Sequence, residues 1–327
     1  MAKSIRSTVR IFAALLALLS VNADAAPKKK AKPKPPEEPE LRMRSRNAKA
    51  TPAPEETGRG TTGTTPRQAR TLAEGELPIL STGAIVIDAY TGLPLYEKNS
   101  DAALYPASTT KILTALLVIE AGDLDREVEV TEEDSKVGES SLNLLPGEHY
   151  TRRQMLFGLM LKSANDVAHA LGRDNAGTAE AFAAKMTIRA KELGATNSNF
   201  RNPNGLHDPQ HYTSPRDLAV IARAAMAQPY FRKVVGTKSY MWTRATGEQW
   251  ALSNHNRLLG QFPGCTGVKT GYTNPSQQVL VSAALRNSRE VIAVTMHGQK
   301  PANWEDSKLL LDYAFGRKPG TDPVPRF

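Results

Sequence analysis

The sequence predicts an α/β protein of the α+β type: an antiparallel sheet flanked by helices, with a mostly helical lobe between its strands. Three observations lead there. β-rich runs stand near both ends of the apolar part of the chain, the stretch between them is punctuated by helix starts and stops, and a closing helical segment follows the last strands. Strands first, helices in the middle and strands again imply a sheet assembled from distant parts of the chain.

Taken in order, Ala84-Ile-Val-Ile-Asp88 and Leu93-Pro-Leu-Tyr-Glu97 flank Tyr90-Thr91-Gly92, the pattern of a β-hairpin. A helix is predicted from Ser108, because Thr109 to Ala121 is strongly apolar and stops at Gly122. Ile112, Leu113, Leu116, Leu117 and Val118 cover nearly every side of it, so it should be central and buried. Thr151-x-x-Gln154 is a capping box that opens a helix through Met160. Helical segments are predicted over Asp166 to Leu171 and Thr178 to Leu193, the latter ending at Gly194. Ser214-Pro215-Arg216-Asp217 starts another, with Leu218 to Met226 behind it. Past Gly264, Gln278 to Leu285 and Glu290 to Met296 read as strands joined at Asn287-Ser288. A closing helix over Trp304 to Phe315 places Leu309, Leu310, Tyr313 and Phe315 on or near one face.

The N-terminus has a different character. Lys3, Arg6 and Arg10 precede the apolar run Ile11 to Val21 and then Ala23-Asp24-Ala25, which reads as a secretory signal peptide over residues 1–25. About eleven apolar residues fall short of the roughly 20 that cross a bilayer, so a retained membrane helix is the weaker reading and no stable anchor is expected after cleavage. Residues 26–75 are rich in proline and charge and poor in large apolar side chains, so they read as a disordered basic linker. They hold twelve basic residues against six acidic ones, most of the net charge of +9. Residues 76–327 are nearly neutral, which argues against a nucleic-acid partner. The remainder divides into a folded domain over 76–317 and a tail over 318–327.

Cys265 is the only cysteine, so no intramolecular disulfide forms. The histidines are scattered, and Pro209 between His207 and His211 opposes helical pairing of these two. No metal site or cofactor is expected.

Three short motifs stand in order: Ser108-Thr-Thr-Lys111, Ser163-Ala-Asn165 and Lys269-Thr270-Gly271, their first residues 55 and 106 positions apart. Each alone is weak, but together they match the S-x-x-K, S-x-N and K-T-G set. Lys111 lies one helical turn after Ser108, so its amine can reach the hydroxyl. An ordinary lysine is no base at neutral pH, so burial and a second cation must lower its pKa, and Lys269 is the obvious second cation. Taken singly, Ser108 could merely cap a helix and Lys111 be a solvated charge; a lysine in an apolar helix start opposes that. Cys265 reads as packing.

With Pro106 to Lys111, Ser140-Ser141-Leu142, Pro146-Gly147, Leu161 to Asp166, Asn204-Gly205-Leu206, Tyr212 to Asp217 and Gly267 to Thr273, the chain resembles the low-molecular-weight penicillin-binding proteins, the serine D-alanyl-D-alanine carboxypeptidases of peptidase family S11. The resemblance runs from about Ala84 to Phe315. It implies a β-lactamase/transpeptidase-like fold and an acyl-enzyme at Ser108, formed on peptidoglycan stem peptides ending in D-Ala-D-Ala or on β-lactam antibiotics. It further implies that Lys111 is the base, that Ser163 and Asn165 complete a proton relay and grip the substrate amide, and that Lys269 and Thr270 bind the terminal carboxylate. Gly271 would admit the substrate strand, and the backbone N–H groups of Ser108 and Tyr272 would form the oxyanion hole. The implied location is the bacterial periplasm or cell envelope.

Rival activities stay open. A β-lactamase of class A would need a carboxylate roughly 35 residues past the S-x-N motif, from the resemblance, and no Asp or Glu lies between Glu192 and Asp208. A D,D-endopeptidase cutting crosslinks is closer, since Asn303 stands where some family carboxypeptidases place an arginine. A non-catalytic wall-binding homologue is opposed by the intact motifs.

Overall fold

The computed structural model describes residues 76–316. The expected leader over 1–75 and tail over 318–327 therefore lie outside the described residues, as does residue 317.

The first hairpin is β1 (Gly83–Asp88) and β2 (Pro94–Lys98). Residues Ala107–Thr110 form a single 3-10 turn that runs straight into α1 (Lys111–Glu120). The predicted helix from Ser108 thus begins as a tighter turn, and the α-helical part starts at Lys111. Its residues from Lys111 to Val118 are all buried, as an apolar surface on every side requires.

A small lobe follows. It opens with β3 (Glu127–Glu129), α2 (Glu132–Ser135) and β4 (His149–Thr151), with β3 paired to β4. The Thr151 capping box then begins α3 (Arg152–Phe157), with both reciprocal bonds made. The remainder of the predicted run to Met160 is a wider π-type turn over Gly158–Lys162. Next come α4 (Asn165–Ala176), longer than predicted, α5 (Ala179–Glu192), capped by Thr178, and α6 (Pro215–Met226), capped by Ser214.

The sequence patterns predict neither β3, α2 and β4 nor α7 (Pro229–Gly236) and the hairpin of β5 (Ser239–Thr243) with β6 (Gln249–Ser253). Nor was β7 (Cys265–Thr273) legible, because its two internal glycines and polar residues hide the alternation of a half-buried strand. The chain closes with β8 (Gln277–Arg286), β9 (Arg289–Gly298) and α8 (Ala302–Gly316).

The main sheet has the order β2-β1-β9-β8-β7, every pairing antiparallel. Its two faces bury separate clusters. On one side Ile85, Ile87, Val281 and Val294 pack on the helical lobe through α1 and α6. On the other Val86, Leu280 and Ala293 pack on α8 through Leu310, Leu311 and Ala314. Leu310 is buried and Phe315 packs against this cluster as expected, but Leu309 is 37% exposed and Leu311 and Ala314 complete the buried face. β8 and β9 are apolar on both faces for this reason. β7 is left at an edge, facing the lobe.

Candidate active site

Ser108 sits in the 3-10 turn against that edge. Gly271 on β7 faces it so closely that a side chain there would place its first carbon 3.0 Å from the Ser108 amide nitrogen. On the other flank Gly205, with φ +88°, lies against the Ala107 carbonyl, which a Cβ at 205 would approach to 1.9 Å. At 205 only glycine fits, for this contact and for its left-handed backbone, while at 271 any side chain would press the Ser108 turn back by a few tenths of an ångström.

The amine of Lys111 donates to Ser108 Oγ at 3.1 Å, to Asn165 Oδ1 at 2.7 Å and to the Asn204 carbonyl at 2.6 Å. Its side chain is wholly buried. Burial, with Lys269 as a nearby second cation, holds its pKa well below the ordinary lysine range; Glu139 and Asp166 oppose that more weakly. The Asn204 carbonyl is a partner that sequence reasoning missed, because it is a backbone atom and any residue type would supply it. The neighbouring Asn204-Gly205 pair was its only signal.

Ser163 follows the π-type turn and takes a left-handed conformation, φ 65°. Its hydroxyl is buried without a partner. Asn165 is held at both ends: its backbone N–H donates to the Ser140 carbonyl and its Nδ2 to the Gly138 carbonyl. Asp166 fixes the facing loop, accepting from Ser141 Oγ and from the N–H groups of Leu142 and Leu144.

Lys269 is 2% exposed and donates to the Thr270 carbonyl. Burial lowers its pKa to about 7. Thr270, Gly271 and Tyr272 line one side of a cleft of about 790 Å³, with Ser108, Ser140 and Ser163 across from them and His255, Arg257, Lys300 and Trp304 extending the wall. His255, beside Lys269, is pushed down to about 4, first by burial and then by that lysine. The structure therefore brings all eight candidate residues together, in one buried cluster and its cleft.

His211 is a support that the motifs did not reveal. Its Nδ1 accepts from the Arg201 N–H, so Nε2 carries the proton and donates to Thr110 Oγ1 at 2.9 Å, inside the 3-10 turn. Burial pushes its pKa to about 4, which keeps it neutral. Cys265 is half-buried on β7, where burial raises its thiol. Asn303 is buried in the first turn of α8, its Oδ1 unpartnered. Among the described residues no cluster of metal-ligating side chains and no helix long and apolar enough to cross a membrane occurs.

Known structures share this arrangement of sheet, lobe and cleft. The crystal structure of the Streptomyces K15 DD-transpeptidase superposes with a TM-score of 0.70 at 33% identity, over 74% of this chain and 99% of that one. The fold is thus that of the penicillin-binding DD-peptidases. The family model described as D-alanyl-D-alanine carboxypeptidase, peptidase S11, matches residues 69–300, and the chain belongs to that family. Among relatives, D-alanyl-D-alanine carboxypeptidase DacF of Bacillus subtilis is 37% identical over 74% of this chain, which spans 64% of DacF. DacB2 of Mycobacterium tuberculosis is 36% identical over 75% of this chain and 87% of its own length.

Proposed function

We propose that the protein is a serine-type D-Ala-D-Ala carboxypeptidase acting on peptidoglycan stem peptides, with Ser108 as nucleophile. The observation that carries this reading is the 3.1 Å contact of Ser108 Oγ with the wholly buried, pKa-lowered amine of Lys111.

In this mechanism neutral Lys111 takes the proton of Ser108 as the oxygen attacks the carbonyl between the two D-alanines. The oxyanion is met by the N–H groups of Ser108 and Tyr272; one such donor is worth roughly 3 to 4 kcal/mol of barrier. Lys111, now charged, passes its proton through Ser163, whose buried hydroxyl is left without a hydrogen-bond partner, to the departing amine. The C–N bond breaks, D-alanine leaves, and water with Lys111 as base hydrolyses the ester. Asn165 orients Lys111, while Thr270 and the charge of Lys269 hold the terminal carboxylate. Gly271 leaves room for the substrate strand.

A β-lactam would acylate Ser108 in the same way. Among the described residues no Asp or Glu lines the cleft to activate a deacylating water, which supports a long-lived adduct and not a β-lactamase. The reading places the enzyme outside the cytoplasmic membrane, in the periplasm or envelope, without a cofactor.

The test is labelling by a fluorescent penicillin together with product analysis on purified muropeptides. Free D-alanine and an adduct on Ser108 are expected. Loss of crosslinked dimers without D-alanine release would assign endopeptidase activity, and no adduct would leave only a wall-binding homologue.

A further inference from the structure

Arg257 stands apart from the other arginines of the described residues. Arg126, Arg152, Arg153, Arg173, Arg189, Arg201, Arg216, Arg232, Arg244, Arg286 and Arg289 each pair with a carboxylate, and Arg223 donates to two backbone carbonyls. Arg257 is exposed, lines the cleft, and makes no hydrogen bond or ion pair with any described residue.

Its backbone, by contrast, is firmly built. Asn254 Nδ2 donates to the carbonyls of Val235 and Thr237, Asn254 Oδ1 accepts from the Asn256 N–H, and Asn256 Oδ1 accepts from the Leu258 N–H. Asn256 and Leu258, on either side of Arg257, are buried. The loop therefore fixes where the side chain of Arg257 starts, while its guanidinium keeps five donors free to meet a planar anion. Lys300, between β9 and α8, is a second exposed cation in the same wall and is likewise unpaired.

The charge balance of the cleft points the same way. Arg257 and Lys300 line it, Lys269 is buried on the neighbouring strand β7, and none of the described residues lining the cleft is acidic. His255 adds no charge near neutral pH. The terminal carboxylate of the substrate already has Thr270 and Lys269, so two further cations are available for a second one.

We propose that Arg257, assisted by Lys300, binds a second carboxylate of the peptide substrate and makes the enzyme selective for acidic stem peptides over their amidated counterparts. The inference rests on the carboxypeptidase reading above and deepens it. The second carboxylate belongs either to a side chain of the acyl-donating stem or, in a crosslinked substrate, to the peptide on the leaving side; the chemistry recognised is the same.

The experiment measures kcat and KM for matched peptides ending in D-Ala-D-Ala that carry a side-chain carboxylate or its amide, and for matched crosslinked dimers differing only by amidation on the leaving side. Wild type, Arg257→Gln, Arg257→Lys and Arg257→Gln/Lys300→Gln are compared at low and high salt. Expected in Arg257→Gln is a fall of about fivefold in the acid-over-amide ratio of kcat/KM, the size of a partly exposed charge pair, carried by KM. The pair of peptides in which the ratio falls identifies the source. The double variant should fall further, Arg257→Lys should recover part of the preference, and high salt should shrink it in wild type. A ratio unchanged in both pairs, or equal losses on acid and amide, overturns the inference. Penicillin labelling of wild type is read in the same samples; its absence would sink the carboxypeptidase reading, whereas labelling with no acid preference sinks only this one.

Discussion

Two lysines buried in one small volume set the chemistry available at the residue scale. Lys111 must be neutral to take a proton from Ser108, and Lys269 must be charged to attract a carboxylate. Burial lowers both, and Lys269 lowers Lys111 further. The rate of acylation by a peptide should therefore rise with pH as Lys111 loses its proton and fall again above about 7 as Lys269 loses its own. In Lys269→Gln the cation is gone, so the pKa of Lys111 rises and the rising limb moves to higher pH, while the falling limb disappears. In Lys269→Arg the charge persists at all relevant pH, so the falling limb also disappears but the rising limb moves less. A pH series of acylation rates for the three proteins checks this, the direction of each limb being the observable. Identical limbs in all three would mean that the lysines do not communicate. The same shift bears on stability: between about 7 and 10.5 the unfolded chain holds the Lys269 proton more tightly than the folded one. Wild type should gain stability across that window, and Lys269→Gln should gain less. For Ser108→Ala, loss of penicillin labelling with a melting temperature unchanged within about 2 °C is expected, since Lys111 keeps its bonds to Asn165 and Asn204.

At the scale of elements, the nucleophile depends on how a 3-10 turn is clamped. Gly271 of β7 presses on one side of it, Gly205 on the other, and His211 holds Thr110 from behind. Gly205→Ala would bring a methyl group into the Ala107 carbonyl and force a non-glycine residue into the left-handed region. We expect a loss on the order of 3 kcal/mol, the sum of a strained backbone and an overpacked contact. That corresponds to a melting temperature lower by roughly 10 °C for a domain of this size. Acylation of the folded fraction should also slow, because relief of the clash displaces Ser108. A variant with wild-type melting and acylation would show that the turn is not clamped there.

Across the whole molecule, the site exists because chain ends meet. β1 pairs with β9, and Asp306 of α8 accepts from the N–H groups of Leu80 and Ser81 and from the Ser81 hydroxyl. This carboxylate ties the entry of the first strand to the closing helix. Asp306→Ala removes the shared acceptor and leaves a buried N–H unsatisfied, so a cost of about 3 kcal/mol is expected by denaturant unfolding. The penicillin adduct should still form in the folded fraction, since Asp306 does not line the cleft. A change below about 0.5 kcal/mol would show that the tie carries no stability.

The amino-acid sequence by itself pointed to the proposed chemistry and to most of the scaffold. Hydrophobic runs, caps and turn residues located the first hairpin, α1, α3, α5, α6, β8, β9 and α8, because those signals are local. Three motifs named Ser108, Lys111, Ser163, Asn165 and Lys269 to Gly271, and the family resemblance added the backbone N–H of Tyr272, because the proposed chemistry requires those groups. Local signals failed where the environment decides the structure. β7 carries one glycine, Gly271, for close approach to Ser108 and another, Gly267, against Val235, and so lost the alternation that marks a strand; Leu309 and Leu311 exchanged exposure because the sheet, and not the helix, selects the buried face. Nor could residue identity reveal the Asn204 carbonyl on Lys111, the depth of burial that lowers its pKa, or the unpaired Arg257 beside the cleft. Those are properties of atoms brought together from distant positions, and only the tertiary structure decides which groups lose water and which keep a charge without a partner.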